Sequence, residues 1–315
     1  MSQSVSLIIP IFNESQTIAG LINTIKEQSL QPEEIILVDG GSTDNTIQIA
    51  KKLTTGFSSF KIIEVGRAMP GKGRNIGAEY SNKEWIAFTD AGIKLDKYWM
   101  ENLLKKTKEI PGADIIYGNF SPQINKFFDK CAAISYVTPL QPGKIRTKSI
   151  ASCLMKKEVW EKTGGFPNWR AAEDLIFIEK AEKSNYKSIE APEAMVYWEL
   201  HSDLKSTYQK FELYSIYNVW AEKQANWHYG VARQYGVMLI FLLLGLFHSW
   251  YWLLLLPTWI VTRIAKRIWS HRYEFGIKLL FNPAIFFMVM IITLVIDAAT
   301  FTGWIKAAMT RPSET

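Results

Sequence analysis

Hydrophobic and polar positions in the first 180 residues switch between two periods. Short apolar runs recur at 5–9, 35–38, 61–65 and 85–88, rich in Ile, Val and Leu and bounded by Pro, Gly, Asn or Asp. Runs of that length and composition predict strands buried on both faces. Between them the spacing changes to three and four. Ile18, Leu21, Ile22 and Ile25 fall on one face of a helix predicted over 17–28. A second helix follows the turn Gly40-Gly41-Ser42-Thr43-Asp44-Asn45 and runs to about Leu53. A glycine-rich loop is predicted over 66–74, then a helix from about Arg74 to Tyr80. Alternation of strand and helix predicts an α/β fold with a mostly parallel sheet and crossover helices. Ligands of such sheets bind at the carboxyl ends of the strands, where 13–14, 39–44, 71–75 and Asp90 converge.

After residue 200 the pattern changes. Residues 203–224 carry Tyr208, Phe211, Tyr214, Tyr217 and Trp220 among Lys205, Lys210 and Lys223. This predicts an amphipathic helix at a membrane surface, with packing on a globular core as the alternative. Residues 235–262 are apolar except at His248-Ser249 and Pro257, and 281–296 form another apolar run that ends at Asp297. Three spans are predicted, at about 231–247, 250–262 and 281–299, the first two forming a hairpin. Two spans, or a re-entrant hairpin, stay open. The predicted organisation is a catalytic domain over 1–202, an interfacial helix over 203–230 and a membrane domain over 231–315.

Charge follows the same division. The formal net charge is +6, and from Val231 onward eight lysines and arginines face three acidic residues. The basic balance therefore points to anionic head groups and not to nucleic acid. Basic residues at 263–278 place that stretch and the catalytic domain on the cytosolic side of the cell membrane. The early apolar run 5–12 is too short for a leader peptide and lacks a basic start. Cys131 and Cys153 have no metal-ligand spacing and are expected as free thiols.

The candidate chemistry sits at strand ends. Trp85-Ile86-Ala87-Phe88-Thr89-Asp90-Ala91-Gly92 is an apolar strand delivering one carboxylate. Taken singly, such residues also serve as caps and turn formers: Ser42 and Asp44 in a turn, Asp96 before a helix, Glu173 and Asp174 in a first helical turn. The pair Gly40-Gly41 lacks the third glycine of a dinucleotide fingerprint, and Gly71-Lys72-Gly73 lacks the spacing of a Walker loop.

The ordered set nevertheless resembles family 2 of the glycosyltransferases, inverting enzymes of the GT-A fold, in their membrane-anchored bacterial or archaeal form. Pro10-Ile11-Phe12-Asn13-Glu14 resembles the family's opening motif. Asp39-Gly40-Gly41-Ser42-Thr43-Asp44 resembles its aspartate-rich loop, and Gly71-Lys72-Gly73-Arg74-Asn75-Ile76-Gly77 its lysine–arginine–asparagine segment. Phe88-Thr89-Asp90-Ala91-Gly92 falls on the DXD motif, with glycine where the last aspartate belongs. Thr163-Gly164-Gly165-Phe166 and Ala172-Glu173-Asp174 resemble the acceptor-side glycine pair and the catalytic Glu-Asp.

The resemblance implies transfer of a sugar from a nucleotide-diphosphate donor to an acceptor hydroxyl. It implies that Pro10, Asn13, Glu14, Asp39, Lys72, Arg74, Asn75 and Asp90 bind the donor. Gly164, Gly165, Phe166 and Arg170 would face the acceptor, and Asp174, beside Glu173, would be the general base. A divalent cation, Mg²⁺ or Mn²⁺, is expected on Asp90, with His201 as a further ligand. Gly92 supplies no side chain, so neutralisation by Lys72, Arg74 or Arg170 stays open. The apolar tail suggests a lipid-linked or glycolipid acceptor. A polyprenyl-phosphate glycosyltransferase and a non-catalytic nucleotide-sugar or lipid-binding scaffold are the competing readings.

Overall fold

The computed structural model describes residues 4–310. The ends of the predicted catalytic and membrane segments, 1–3 and 311–315, lie outside the described residues. The chain divides into two compact units, Met1–Gln123 with Gly143–Glu199, and Ile124–Pro142 with Leu200–Thr315.

The first unit opens with the predicted alternation: β1 (Val5–Ile11), α1 (Ile18–Lys26), β2 (Glu34–Asp39), α2 (Thr46–Thr54), β3 (Phe60–Glu64), α3 (Pro70–Tyr80) and β4 (Trp85–Phe88). β5 (Ile93–Leu95), α4 (Trp99–Glu109) and β6 (Ile115–Gln123) follow. After α5 (Phe127–Tyr136), which belongs to the second unit, the chain adds β7 (Cys153–Lys156), α6 (Lys157–Thr163), α7 (Glu173–Lys183) and β8 (Ser188–Glu199). Among the described residues these strands form one eight-stranded sheet in the order β3-β2-β1-β4-β7-β6-β8-β5. The first four are parallel. β7 runs antiparallel to β4 and β6, and β5 antiparallel to β8, so the far half is mixed.

Period-two alternation sends Leu7 and Ile9 of β1 to one core and Ile8 to the other. The first core takes Ile18, Leu21, Ile22 and Ile25 of α1, and the second takes Phe88, Phe166 and Phe177. α3 lies close on β1 because Gly77 faces Ile8: a Cβ there would sit 2.4 Å from Ile8 Cγ2. Registration of Ile11 beside Asp39 and of Ile8 beside Phe88 brings the ends of β1, β2 and β4 to one edge.

The second unit consists of α5 with α8 (Leu204–Trp220), α9 (His228–Phe247), α10 (Leu255–Ser270), α11 (Arg272–Phe275) and α12 (Pro283–Met309). Its core joins Cys131 and Ile134 of α5 to Ile264 and Ile268 of α10 and to Val289 and Ile292 of α12. The aromatic helix of the sequence, α8, packs along α12. Ser215 Oγ donates to the Thr300 carbonyl at 2.7 Å, and Gly303 leaves room for Ser215, which a Cβ would approach to 2.5 Å. Cys131 and Cys153 are free and buried.

Among the described residues two helices, α9 and α12, are long and apolar enough to cross a membrane. They contain the predicted spans 231–247 and most of 281–299. The predicted middle span, 250–262, takes another form. A 3-10 turn, Trp250–Leu254, leads into α10, whose 16 residues make about 24 Å of helix, short of the ~30 Å hydrocarbon core. The turn folds back tightly on α9, since a Cβ on Gly245 would meet Leu253 Cδ2 at 2.3 Å. Leu246, Phe247, Trp250 and Tyr251 at this bend are exposed, Phe247 by 85%.

Candidate active site

Two loops at the carboxyl edge of the sheet are fastened to each other. Asp39, at the end of β2, accepts hydrogen bonds from the backbone N–H groups of Gly41 (3.1 Å) and Ser42 (3.1 Å) and from Ser42 Oγ (2.6 Å). Gly41 takes a positive φ of 88° that a side chain would strain. Across the edge, Asn13 also takes a positive φ, 55°, and its Oδ1 accepts from the Thr43 N–H at 2.8 Å. The Glu14 N–H donates to Thr46 Oγ1 at 2.7 Å and the Ser15 N–H to Asp44 at 3.2 Å. The Thr46 hydroxyl is the first cause of the low pKa of Asp44, about 2. Asp44 therefore serves as a charged latch between the loops.

The predicted glycine-rich loop 66–74 is a loop only over 66–69. Pro70 stands at the first helical position, where its fixed φ suits a helix start, and α3 begins four residues before the predicted Arg74. Gly71 and Gly73 serve close packing instead of turn formation. A Cβ on Gly71 would lie 1.9 Å from the Pro167 carbonyl oxygen, and one on Gly73 would lie 3.0 Å from Pro10 Cβ.

That start turns Arg74 inward. Its guanidinium donates from Nη2 to Asp90 at 2.7 Å and from Nη1 to Glu173 at 2.7 Å. Arg74 is 4% exposed and Glu173 5%, whereas the Asp90 side chain keeps 42% exposure on the open side. A cation buried to that depth needs charged partners, and two carboxylates flank it. Burial pulls the arginine towards deprotonation, but Asp90 and Glu173 more than offset it and raise its pKa. Burial also pushes Glu173 up from the usual carboxylate range, against the pull of Arg74. Glu173 Oε2 and Arg74 Nε are buried with no hydrogen-bond partner among the described residues.

Glu173 and Asp174 begin α7 after a strained entry. Ala172, the residue before the helix, has φ 63°, a left-handed conformation rarely adopted outside glycine and asparagine. The loop leading there is held by Asn75. Its Oδ1 accepts from the Phe166 N–H (2.8 Å) and Trp160 Nε1 (3.0 Å), and its Nδ2 donates to the Phe166 carbonyl (2.8 Å). Gly164 (φ 82°) and Gly165 (φ 69°) close α6 in left-handed conformations, and a Cβ on Gly165 would strike Asn75 Oδ1 at 2.6 Å. Phe166 then stacks on Phe177 at 4.1 Å, with the Arg74 guanidinium 5.5 Å from its ring. Asp174 is half-buried, and its Oδ1 accepts from the Leu175 N–H at 2.8 Å. Burial, the largest cause, raises its pKa despite Arg74, which suits a proton acceptor.

Residues 6–153 match the sequence profile described as "Glycosyl transferase family 2". This segment is a family 2 glycosyl transferase domain. Among curated proteins, the chain is 28% identical over 190 residues to glycosyltransferase AglE of Haloferax volcanii, covering 58% of this chain and 62% of AglE. It is 27% identical over 121 residues to glycosyltransferase GlyG of Streptococcus pneumoniae, 38% of this chain and 40% of that protein. The chain thus spans less than two thirds of either relative. Among solved structures, mannosyltransferase PcManGT from Pyrobaculum calidifontis, in complex with GDP-Man and Mn²⁺, aligns with a TM-score of 0.60 at 18% identity. That alignment covers 92% of this chain and 86% of that one. S. aureus TarS 1-349 with UDP-GlcNAc aligns at 0.53 and 17% identity, covering 99% and 93%. At these identities the structural likeness speaks for the fold, which is the GT-A architecture expected from the motifs.

The remaining predicted residues divide. Pro10 packs beneath Gly73, and Asn75 works as the loop clamp just described. Lys72 is exposed, with no side-chain hydrogen bond or ion pair among the described residues, so it is available to a ligand. Arg170 is exposed, and its charge reaches Glu14. Burial is the first cause of a raised Glu14 pKa, and the charge of Asp90 adds to it. His201 belongs to the second unit, where burial lowers its pKa.

Among the described residues no group of three His, Cys, Asp or Glu side chains could hold a metal ion. A Cβ on Gly92 would point at Glu14 Oε2, 4.0 Å away, and meet nothing nearer. The position of the absent DXD aspartate therefore faces a second carboxylate. Asp90, one of whose oxygens is committed to Arg74, and Glu14 together fit a hard divalent cation, which commonly takes one or two carboxylates plus substrate phosphates.

Proposed function

We propose that the chain is an inverting glycosyltransferase that moves a sugar from a nucleotide-diphosphate donor to a hydroxyl of a membrane-associated, lipid-linked acceptor, with Asp174 as general base. The observation that carries this reading is the Asp90–Arg74–Glu173 bridge at the carboxyl edge, with Asp174 next in the chain. In this reading Asp39, Asn13 and Glu14 form the nucleoside side of the site, and Lys72 and Arg170 face the diphosphate. The acceptor oxygen attacks the anomeric carbon from the side opposite the diphosphate. Asp174 takes its proton, the new glycosidic bond forms, and the old carbon–oxygen bond breaks with its electron pair leaving on the nucleoside diphosphate. Arg74 keeps Glu173 and Asp90 in place, so the two sides of the site are joined through one guanidinium. A Mg²⁺ or Mn²⁺ ion held by Asp90, with Glu14 nearby, would supply neutralisation of the leaving diphosphate. The Mn²⁺ and GDP-Man in PcManGT and the UDP-GlcNAc in TarS support a donor and cation of these classes.

For the second unit we read α9 and α12 as membrane helices and the bend at 246–251 as the tip of an apolar hairpin. Exposed Phe247, Trp250 and Tyr251 support insertion, because a water-facing patch of such side chains is unfavourable. A hairpin that enters and leaves on one side keeps Arg263 to Lys278 on the cytosolic side, as positive charge favours. The test is Asp174→Asn. Transfer to acceptor, followed as nucleotide release, should fall by about 10²–10⁴-fold, with donor affinity changed less than about twofold. Wild-type turnover in that variant removes Asp174 from the mechanism.

A further inference from the structure

The second unit contains a cavity that the transfer chemistry does not use. Its volume is about 510 Å³, and it is lined from α5, α9 and α10. Arg233 of α9 and Arg263, Lys266 and Arg267 of α10 line it, and no acidic residue among the described ones does. The four cations are not equivalent. Arg263 is held in a two-pronged pair by Asp297, at 2.6 and 2.8 Å, and the Tyr235 hydroxyl donates to the same carboxylate at 3.0 Å. Asp297 is 1% exposed, so this pair is closed off. Arg267, one helical turn on and on the same face, is half-buried and has no side-chain hydrogen bond or salt bridge among the described residues.

One carboxylate thus neutralises one of four cations, leaving three against a single recess. Tyr136 and Trp227 bring aromatic faces to its wall. Guanidinium and ammonium groups match the oxygens of a phosphate, and the volume accommodates a diphosphate with the first atoms it carries. We propose that this cavity binds the phosphate or diphosphate head group of a membrane lipid, with Arg267 as its principal contact and Lys266 and Arg233 at the mouth. The inference rests on reading the α9–α10 hairpin as membrane-embedded, which would bring a lipid head group to the level of α10.

Full-length protein is floated with phosphatidylcholine vesicles that are neutral, doped with phosphatidic acid, or matched in charge with the phosphodiester phosphatidylglycerol. Binding to phosphatidic acid should be about tenfold tighter than to phosphatidylglycerol, and Arg267→Gln and Lys266→Gln should each remove about fivefold. Inorganic pyrophosphate should compete. Unchanged helical circular dichroism and an unchanged pattern of limited proteolysis in 204–310 certify that both variants are folded. Equal retention by the two anionic vesicles, or an undiminished preference in Arg267→Gln, overturns the site. Failure of the membrane reading looks different: no flotation with any vesicle, while pyrophosphate in solution still binds in an Arg267-dependent manner, would leave an anion site and assign it to a free phosphate. No flotation and no pyrophosphate binding would overturn both.

Discussion

Asn75→Ala tests whether the loop 164–172, on the proposed acceptor side, is held by one side chain. Asn75 makes three hydrogen bonds, at 2.8, 3.0 and 2.8 Å, to the Phe166 backbone and the Trp160 indole. At about 1 kcal/mol net for each bond, removal costs ~3 kcal/mol, and the buried Phe166 N–H left without an acceptor keeps the value from falling much lower. The loss is local, because Gly164 and Gly165 offer little resistance once the clamp is gone. About 3 kcal/mol corresponds to a shift of roughly 100-fold in the opening equilibrium of that loop. Hydrogen exchange should therefore quicken by about that factor in 164–172 while β1 and β4 stay protected. Nucleotide release with acceptor should drop at least about tenfold, with donor affinity nearly unchanged, because the freed loop leads into the helix that Asp174 helps to start, and the proposed nucleoside side does not depend on it. Asn75→Asp keeps both accepting bonds but sets a carboxylate oxygen against the Phe166 carbonyl, so it should sit between alanine and wild type. Native exchange at 164–172 in the alanine variant would refute the clamp.

The raised pKa of Asp174 has two consequences that share a sign check. In the proposed mechanism the active form is the carboxylate, so the acidic limb of the transfer rate should lie above the ordinary aspartate range and vanish in Asp174→Asn. A carboxyl whose folded pKa is raised binds its proton more tightly when folded, so its charging destabilises the fold as pH rises through the window between the two values; Asp174→Asn should then resist urea better than wild type at neutral pH, and a weaker variant would contradict the assignment. Gly92→Asp places a carboxylate opposite Glu14 with no backbone in the way, and should tighten Mn²⁺ binding by about tenfold in titrations followed by electron paramagnetic resonance; unchanged affinity would show that the cation does not sit between these positions. Gly303→Leu forces side-chain atoms into Ser215 and the Glu212 carbonyl, at 2.5 Å from the first Cβ alone, and should destabilise the α8–α12 pair by about 1–3 kcal/mol, seen as earlier proteolysis in 204–220.

Much of the first unit was legible because its signals are local. Strand and helix periods located β1 to β4 and α1 to α3 within a few residues, and the polar strand ends at Asn13, Asp39 and Asp90 stood out against apolar runs. Local signals also misled at 70–74, the second half of a stretch whose Gly66, Gly71 and Gly73 read as a loop. Pro70 starts a helix there, and Gly71 and Gly73 answer to Pro167 and Pro10, neighbours distant in sequence. The short β5 and the mixed strands β6 to β8 had no distinct period, because their pairing depends on sheet order and not on the strands themselves. Similarly, α5 is apolar like any core helix, and nothing along it says that its partners are Ile264 and Val289.

The sequence by itself determined the α/β alternation, the family motifs, the free cysteines and the change to an apolar tail, since each is written in residues near one another. Only the tertiary structure decided what those residues face. Arg74 and Glu173 lie 99 positions apart, and their pairing follows from burial, which leaves a cation no water and makes it seek the nearest carboxylates. The same logic pairs Arg263 with Asp297 in the second unit and leaves Arg267, one turn away, without a carboxylate. At Gly92 the chain shows only a missing side chain, and folding places Glu14 opposite it.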